Sequence, residues 1–192
     1  AVSNNSKCPS AKATVTVNNN SVAPVITTAT VNQTSCDTNT PNGQASANVG
    51  GTTTGYTFTW YVGSGTSGAV KGNTAQILNL VAGTYTVKVD NNTTGCSSTA
   101  QVTIINNLVN PVVTAAVDAH QTICSAGNGQ VSANVAGNVT DYTFYWFNGN
   151  IATPNIAAPD FTGAVYSGRT AGAYTVVAVN NNTKCQSAKV TV

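Results

Sequence analysis

An all-β fold in tandem copies follows from three observations. The segment A-G-T-Y-T-V-K-V at 82–89 returns as A-G-A-Y-T-V-V-A at 171–178, and each copy runs on to a cysteine, Cys96 or Cys185. Apolar and polar residues alternate in short runs, with turn signals about every 8–12 residues and no helical period anywhere. Marker residues keep a common offset: Cys36 to Cys124 is 88 positions, Trp60 to Trp146 is 86, and Tyr85 to Tyr174 and Cys96 to Cys185 are both 89. Six or seven short strands in a repeat of about 88 residues read as an immunoglobulin-like β-sandwich. The chain also opens on the tail of a third copy, because residues 1–17 match residues 178–192. The expected division is a tail at 1–17 (the end of strand F and strand G of a preceding repeat), a first repeat at 18–105 and a second at 106–192.

In chain order, a turn at Asn4-Asn5-Ser6-Lys7 leads to an alternating strand from Ala11 to Val17. Asn18-Asn19-Asn20 is a linker, echoed by Asn106-Asn107. Pro24 and Pro111 open matching strands at 25–29 and 112–116, a position where no ladder N–H is lost. Cys36 and Cys124 follow, then turns ending at Gly43 and Gly129, then strands of small residues at 44–49 and 130–135. Gly50-Gly51 and Ala136-Gly137 turn the chain into its aromatic strand. There Tyr56, Phe58 and Trp60 share one face, as do Tyr142, Phe144 and Trp146, and the small residues opposite leave room for them. The stretch that follows differs most between copies, and length variation of this kind maps to loops. One further strand is expected near Ile77-Leu78 and near Val165-Tyr166. Tyr85 and Tyr174 stand where a tyrosine corner would, just past the turn into strand F.

Composition narrows the function classes. Charged residues make up 6% of the chain, Met is absent, and the net charge is +2. Such a balance gives no electrostatic footprint for nucleic acid or an anionic membrane. No apolar run is long enough to span a bilayer. A surface solvated by neutral Asn and Thr suits an extracellular protein exposed to variable salt. With one His, five Asp and no Glu, the sequence offers no acid–base pair, and no enzymatic activity is expected. His120 reads as a surface residue. Calcium needs six to eight oxygens, several of them carboxylates. Asp90 beside Asn91-Asn92 could donate, yet its counterpart is Val179, so no metal or other cofactor is expected. Ice binding would need flat ranks of Thr, whereas these Thr alternate with core residues. Asn-x-Ser/Thr sequons arise by chance in so Asn- and Thr-rich a chain.

Two features remain as candidate sites. Tyr145 and Phe147 fall on the face opposite Trp146, exposed or covered by the 148–161 insert with its Phe161. If exposed, these three aromatics would serve a sugar or a lateral chain contact. The five cysteines lack metal-site spacing and point to disulfides in an oxidising compartment. Pairing within units would join Cys36 to Cys96 and Cys124 to Cys185. Topology puts those turns at opposite poles of a sandwich, on the order of 17–20 Å apart, against a limit of about 7 Å for bridged Cα atoms. Pairing between stacked units would join Cys36 to Cys185 and leave Cys8, Cys96 and Cys124 for neighbouring repeats. Topology favours the second scheme; a six-strand variant with both turns at one pole would permit the first.

The order of Tyr56, Trp60, Leu80, Gly83, Tyr85, Val87, Asp90, Gly95 and Cys96 resembles a SprB-type repeat. Such repeats occur in long surface adhesins of gliding and other Bacteroidetes. The second copy departs at Val179 and Lys184, which stand for Asp90 and Gly95. The resemblance implies secretion to the cell surface and a part in adhesion or gliding motility, with the motif residues as scaffold. The expected function is therefore a structural or adhesive segment of a long extracellular filament, its partners being neighbouring repeats or copies of itself. A glycan-binding module built on the Tyr145 and Phe147 patch is the alternative.

Overall fold

A computed structural model describes residues 1–192. It contains fourteen strands and no helix, so no helix is long and apolar enough to cross a membrane. The first unit holds β1 (Ile26–Val31), β2 (Gly43–Val49), β3 (Tyr56–Val62), β4 (Val70–Gly72), β5 (Gln76–Leu80), β6 (Gly83–Asn91) and β7 (Ser97–Ile104). The second holds β8 (Thr114–Ala119), β9 (Gly129–Asn134), β10 (Tyr142–Asn148), β11 (Phe161–Thr162), β12 (Val165–Arg169), β13 (Tyr174–Asn180) and β14 (Val190–Thr191). Each unit packs a three-stranded sheet on a four-stranded one, β1-β2-β5 on β4-β3-β6-β7 and β12-β9-β8 on β11-β10-β13-β14. The architecture is a tandem pair of immunoglobulin-like sandwiches.

The alternation of the strands explains the cores. Ala45 and Ala47 on β2 face Phe58 and Trp60 on β3, so small residues accept large ones across the sandwich. Ala133 with Phe144 and Trp146 repeats this in the second unit. Both Trp side chains are fully buried, and each indole N–H finds a carbonyl at 3.0 Å, Thr74 O for Trp60 and Gly163 O for Trp146. The two cores share no residue. Gly43 must remain glycine, since a Cβ there would lie 2.6 Å from Leu80 O and 2.8 Å from Ile104 Cγ2.

Tyrosine corners form in both units: Tyr85 Oη donates to Val81 O at 3.0 Å and Tyr174 Oη to Thr170 O at 2.7 Å. Burial holds the Tyr85 hydroxyl pKa above its ordinary 10.0. A hydrogen bond to Asp90, at 2.6 Å, likewise holds Lys88 above 10.5. Raised folded-state values give stability that is complete below the unfolded pKa and is lost as pH rises through the folded one. The first unit should therefore weaken above about pH 10. Tyr85→Phe should cost about 1 kcal/mol at neutral pH and flatten part of that alkaline loss, Lys88 keeping the rest. Melting curves between pH 8 and 11 test this, and an unchanged alkaline slope would count against it.

The tail departs from expectation. Its turn forms, with Lys7 N–H donating to Ser3 O at 2.9 Å and Ser3 N–H to Cys8 O at 3.1 Å. Residues 11–17, expected as a strand, form none, and Val15 and Val17 are 89% and 95% exposed. A strand requires a ladder partner, and residues 11–17 have none. Edge strands β4 and β11 were not foreseen; at three and two residues they are too short to show a period.

Candidate junction between the two units

The loop from β1 to β2 is built by its own polar side chains. Gln33, 7% exposed, donates through Nε2 to Ser35 O at 3.0 Å and accepts from Asn42 N–H at 2.9 Å. Asn42 Oδ1 accepts from Thr34 N–H at 2.8 Å and Ser35 N–H at 3.2 Å, and Nδ2 donates to Thr34 Oγ1 at 2.8 Å. The Gln33 backbone also pairs in parallel with the chain leaving β7, through Ile105 O and Asn107 N–H. The loop is thus mounted where the chain passes into the second unit.

Facing it is the turn from β13 to β14. Asn180 Oδ1 accepts from the N–H groups of Asn182 and Thr183, both at 2.9 Å, and Lys184 closes the turn at a left-handed φ of 59°. Thr183 O then accepts from Cys36 N–H at 2.7 Å. Cys36 and Cys185 form a disulfide with Cα atoms 4.8 Å apart, and Cys185 is completely buried. Asn110 Oδ1 of the interunit linker stands 3.9 Å from Cys36 Sγ. Asp37 caps the loop; hydrogen bonds from the Asn39 backbone first, then Thr40, hold its carboxyl below its ordinary value, and the Lys184 ammonium adds to them. Cys8, Cys96 and Cys124 are free thiols.

The aromatic candidates are not brought together. Phe147 is 5% exposed, beside Thr175 and Val177, which are buried on the same outer face. The insert is pinned to that face: Thr175 Oγ1 donates to Gly149 O at 2.7 Å and accepts from Ile151 N–H at 3.0 Å, and Lys189 Nζ donates to Ile151 O at 2.7 Å. Tyr145 is half-buried. Phe161 pairs with Trp146 and lies on the inner face, stacked on Tyr166 at 4.5 Å between ring centroids. It closes the core edge instead of covering Tyr145 and Phe147, because β11 joins the edge of β10 as a strand.

Sequence reasoning missed the residues that build both loops. Thr86 repeats the Thr175 clamp, donating to Gly63 O and accepting from Gly65 N–H. Gln33-Thr34 recurs as Gln121-Thr122 and Asn42-Gly43 as Asn128-Gly129, which is the signal that could have found them. Asp90 is spent on Lys88, and His120 is exposed in a shallow groove with Arg169 and Tyr174. No three His, Cys, Asp or Glu side chains cluster.

No family model matches the chain, and no curated protein matches it. Among solved structures it is similar to the three N-terminal domains of the highly immunogenic outer capsid protein (Hoc) of bacteriophage RB49. That match has 18% identity and a TM-score of 0.46, over 88% of this chain and 57% of that one. It is also similar to the full Ig1–Ig3 ectodomain of mouse nectin-like molecule 4, at 12% identity and a TM-score of 0.30, over 88% and 62%. The chain thus spans less than two thirds of either protein, and neither likeness bears on what this chain binds.

Proposed function

We propose that this chain is a structural segment of a long extracellular bacterial surface filament or adhesin, serving attachment or surface motility. The observation that supports it most is the Cys36–Cys185 bridge, which joins the β1–β2 loop of one unit to the β13–β14 turn of the next. A bridge inside a unit would stabilise a domain; this one fixes two domains relative to each other. Interdomain contacts are otherwise small enough to leave relative motion as the default. A staple that removes that motion is useful where units are stacked and extension matters. Disulfides persist in oxidising compartments, in keeping with secretion to the cell surface. The nearly uncharged surface and the resemblance to SprB-type repeats support the same reading.

Small-angle X-ray scattering on the oxidised protein should give a single narrow distribution of interunit separations. Reduction, or the pair Cys36→Ser and Cys185→Ser, should broaden it. Equal breadth in both states, or peptide mapping that joins Cys36 to Cys96, would sink the proposal.

A further inference from the structure

The seat that Cys36 fills on the second unit has a counterpart on the first, and that counterpart is open. Val22, Ala23, Asn91 and Thr94 line a groove where the incoming chain meets the β6–β7 turn. Their equivalents on the second unit are Val109, Asn110, Asn180 and Thr183. There Cys36 hydrogen-bonds Thr183 O and lies against Asn110. The β6–β7 turn has the same internal bonds as its counterpart. Gly95 N–H donates to Asn91 O at 2.8 Å, Asn91 N–H donates to Cys96 O at 2.9 Å, and Asn91 Oδ1 accepts from Thr93 and Thr94 N–H. Thr94 O and Cys96 are therefore offered as Thr183 O and Cys185 are.

The matching loop is displayed at the other end of the molecule. Between β8 and β9, Gln121 Nε2 donates to Ile123 O at 2.7 Å, and Asn128 holds Thr122 through both its amide oxygen and its nitrogen at 2.8 Å. These bonds repeat part of the β1–β2 loop in a loop two residues shorter, with Gln121 Oε1 accepting from Ala171 N–H instead of from the loop asparagine, and here Cys124 is exposed and Ile123 is 46% exposed.

We propose that Cys124 forms a disulfide with Cys96 of a second copy of this chain, seating the β8–β9 loop in the open groove and adding copies head to tail. The proposal rests on reading the chain as part of a repeat array. Charge favours Cys96 over the other free turn cysteine, Cys8. At the closed junction Asp37 follows Cys36 and Lys184 precedes Cys185, opposite charges on the two sides of the bridge that make no direct ion pair, since Lys184 Nζ donates to Asn181 O at 2.6 Å. At the proposed one Ser125 follows Cys124 and Gly95 precedes Cys96, neutral against neutral. Lys7 precedes Cys8. Nine of the twelve residues Ala1–Lys12 recur at Ala178–Lys189, but only three at Val89–Ala100. The tail turn is thus of the second-unit kind, suited to an acidic loop such as that of Asp37. First-unit and second-unit types then alternate along the array.

The bond forms when the thiols of Cys96 and Cys124 lose two protons and two electrons to a low-molecular-weight disulfide, which leaves as two thiols. The test is to incubate the whole chain in a glutathione redox buffer, then to run non-reducing electrophoresis and peptide mapping. The expected result is a ladder of multimers linked through Cys96–Cys124, abolished by Cys96→Ser or Cys124→Ser and kept by Cys8→Ser. Ser125→Asp should raise the Cys8–Cys124 share about threefold at low salt, the scale of an exposed ion pair. Monomers carrying only Cys36–Cys185 would overturn the inference and leave the array reading standing. A ladder linked through Cys8–Cys124, or through Cys8–Cys36 by exchange of the terminal hairpin, would also overturn it.

Discussion

Replacing Trp146 by alanine should cost roughly 3–5 kcal/mol and unfold the second unit while the first keeps its structure. A unit of this size is worth about 4–13 kcal/mol in total, at 0.05–0.15 kcal/mol per residue. Trp146 is fully buried between the sheets, packed near Tyr166, and its removal leaves both a cavity and an unpartnered Gly163 O. Confinement to one unit follows from the two cores having no residue in common. The chain has two Trp, so in this variant Trp60 fluorescence reports the first unit alone. Trp60→Ala is the reciprocal experiment, read through Trp146. Trp146→Phe separates the two causes, since it fills most of the space and loses only the indole N–H, at about 1–3 kcal/mol. Loss of Trp60 structure along with the second unit, in the reduced protein as well as the oxidised one, would show that the cores are coupled and refute the prediction.

What could be read from the sequence and what could not divide along physical lines. Tyr56, Phe58 and Trp60 alternate with threonines, so period alone placed Phe58 and Trp60 in a core, and Tyr85 and Tyr174 announced their corners by standing after a turn glycine. Residues 11–17 show that alternation alone does not make a strand; these residues have the pattern and lack the neighbour. Phe147 shows the converse. Its phase put it on the outer face, and only the fold of the insert, held by Thr175 and Lys189, decides that this face is covered there. Gln33 and Asn42 were invisible for another reason. In so Asn-rich a chain one more amide says nothing, whereas Gln33, buried and bonded to Ser35 O, and Asn42, exposed but bonded to Thr34, shape the loop that presents Cys36.

The pair Cys36→Ser and Cys185→Ser should lower the melting temperatures of both units together, on the order of 20 °C. The bridge spans 149 residues, and in the chain-entropy account a closed loop of that length is worth about 5 kcal/mol. A domain of 60–100 residues loses about 4–8 °C per kcal/mol. The loop threads both sandwiches, so unfolding either one means disordering a chain still held at two points. If only the second unit unfolds, the free segment runs from the linker to Cys185; if only the first, from Cys36 to the linker. Each exceeds 70 residues, so the constraint acts on both units with similar weight, because closure entropy depends only on the logarithm of length. A bridge inside one sandwich would act on that unit alone, which makes the two-unit response the diagnostic one. The Cys36 N–H to Thr183 O bond survives the substitution, but one half-buried hydrogen bond of about 1 kcal/mol cannot hold two domains in register against their rotational freedom. Calorimetry of the double variant beside Cys124→Ser, which should melt like the parent, reads the effect directly. A shift confined to one unit would mean that the staple serves a domain and not the array.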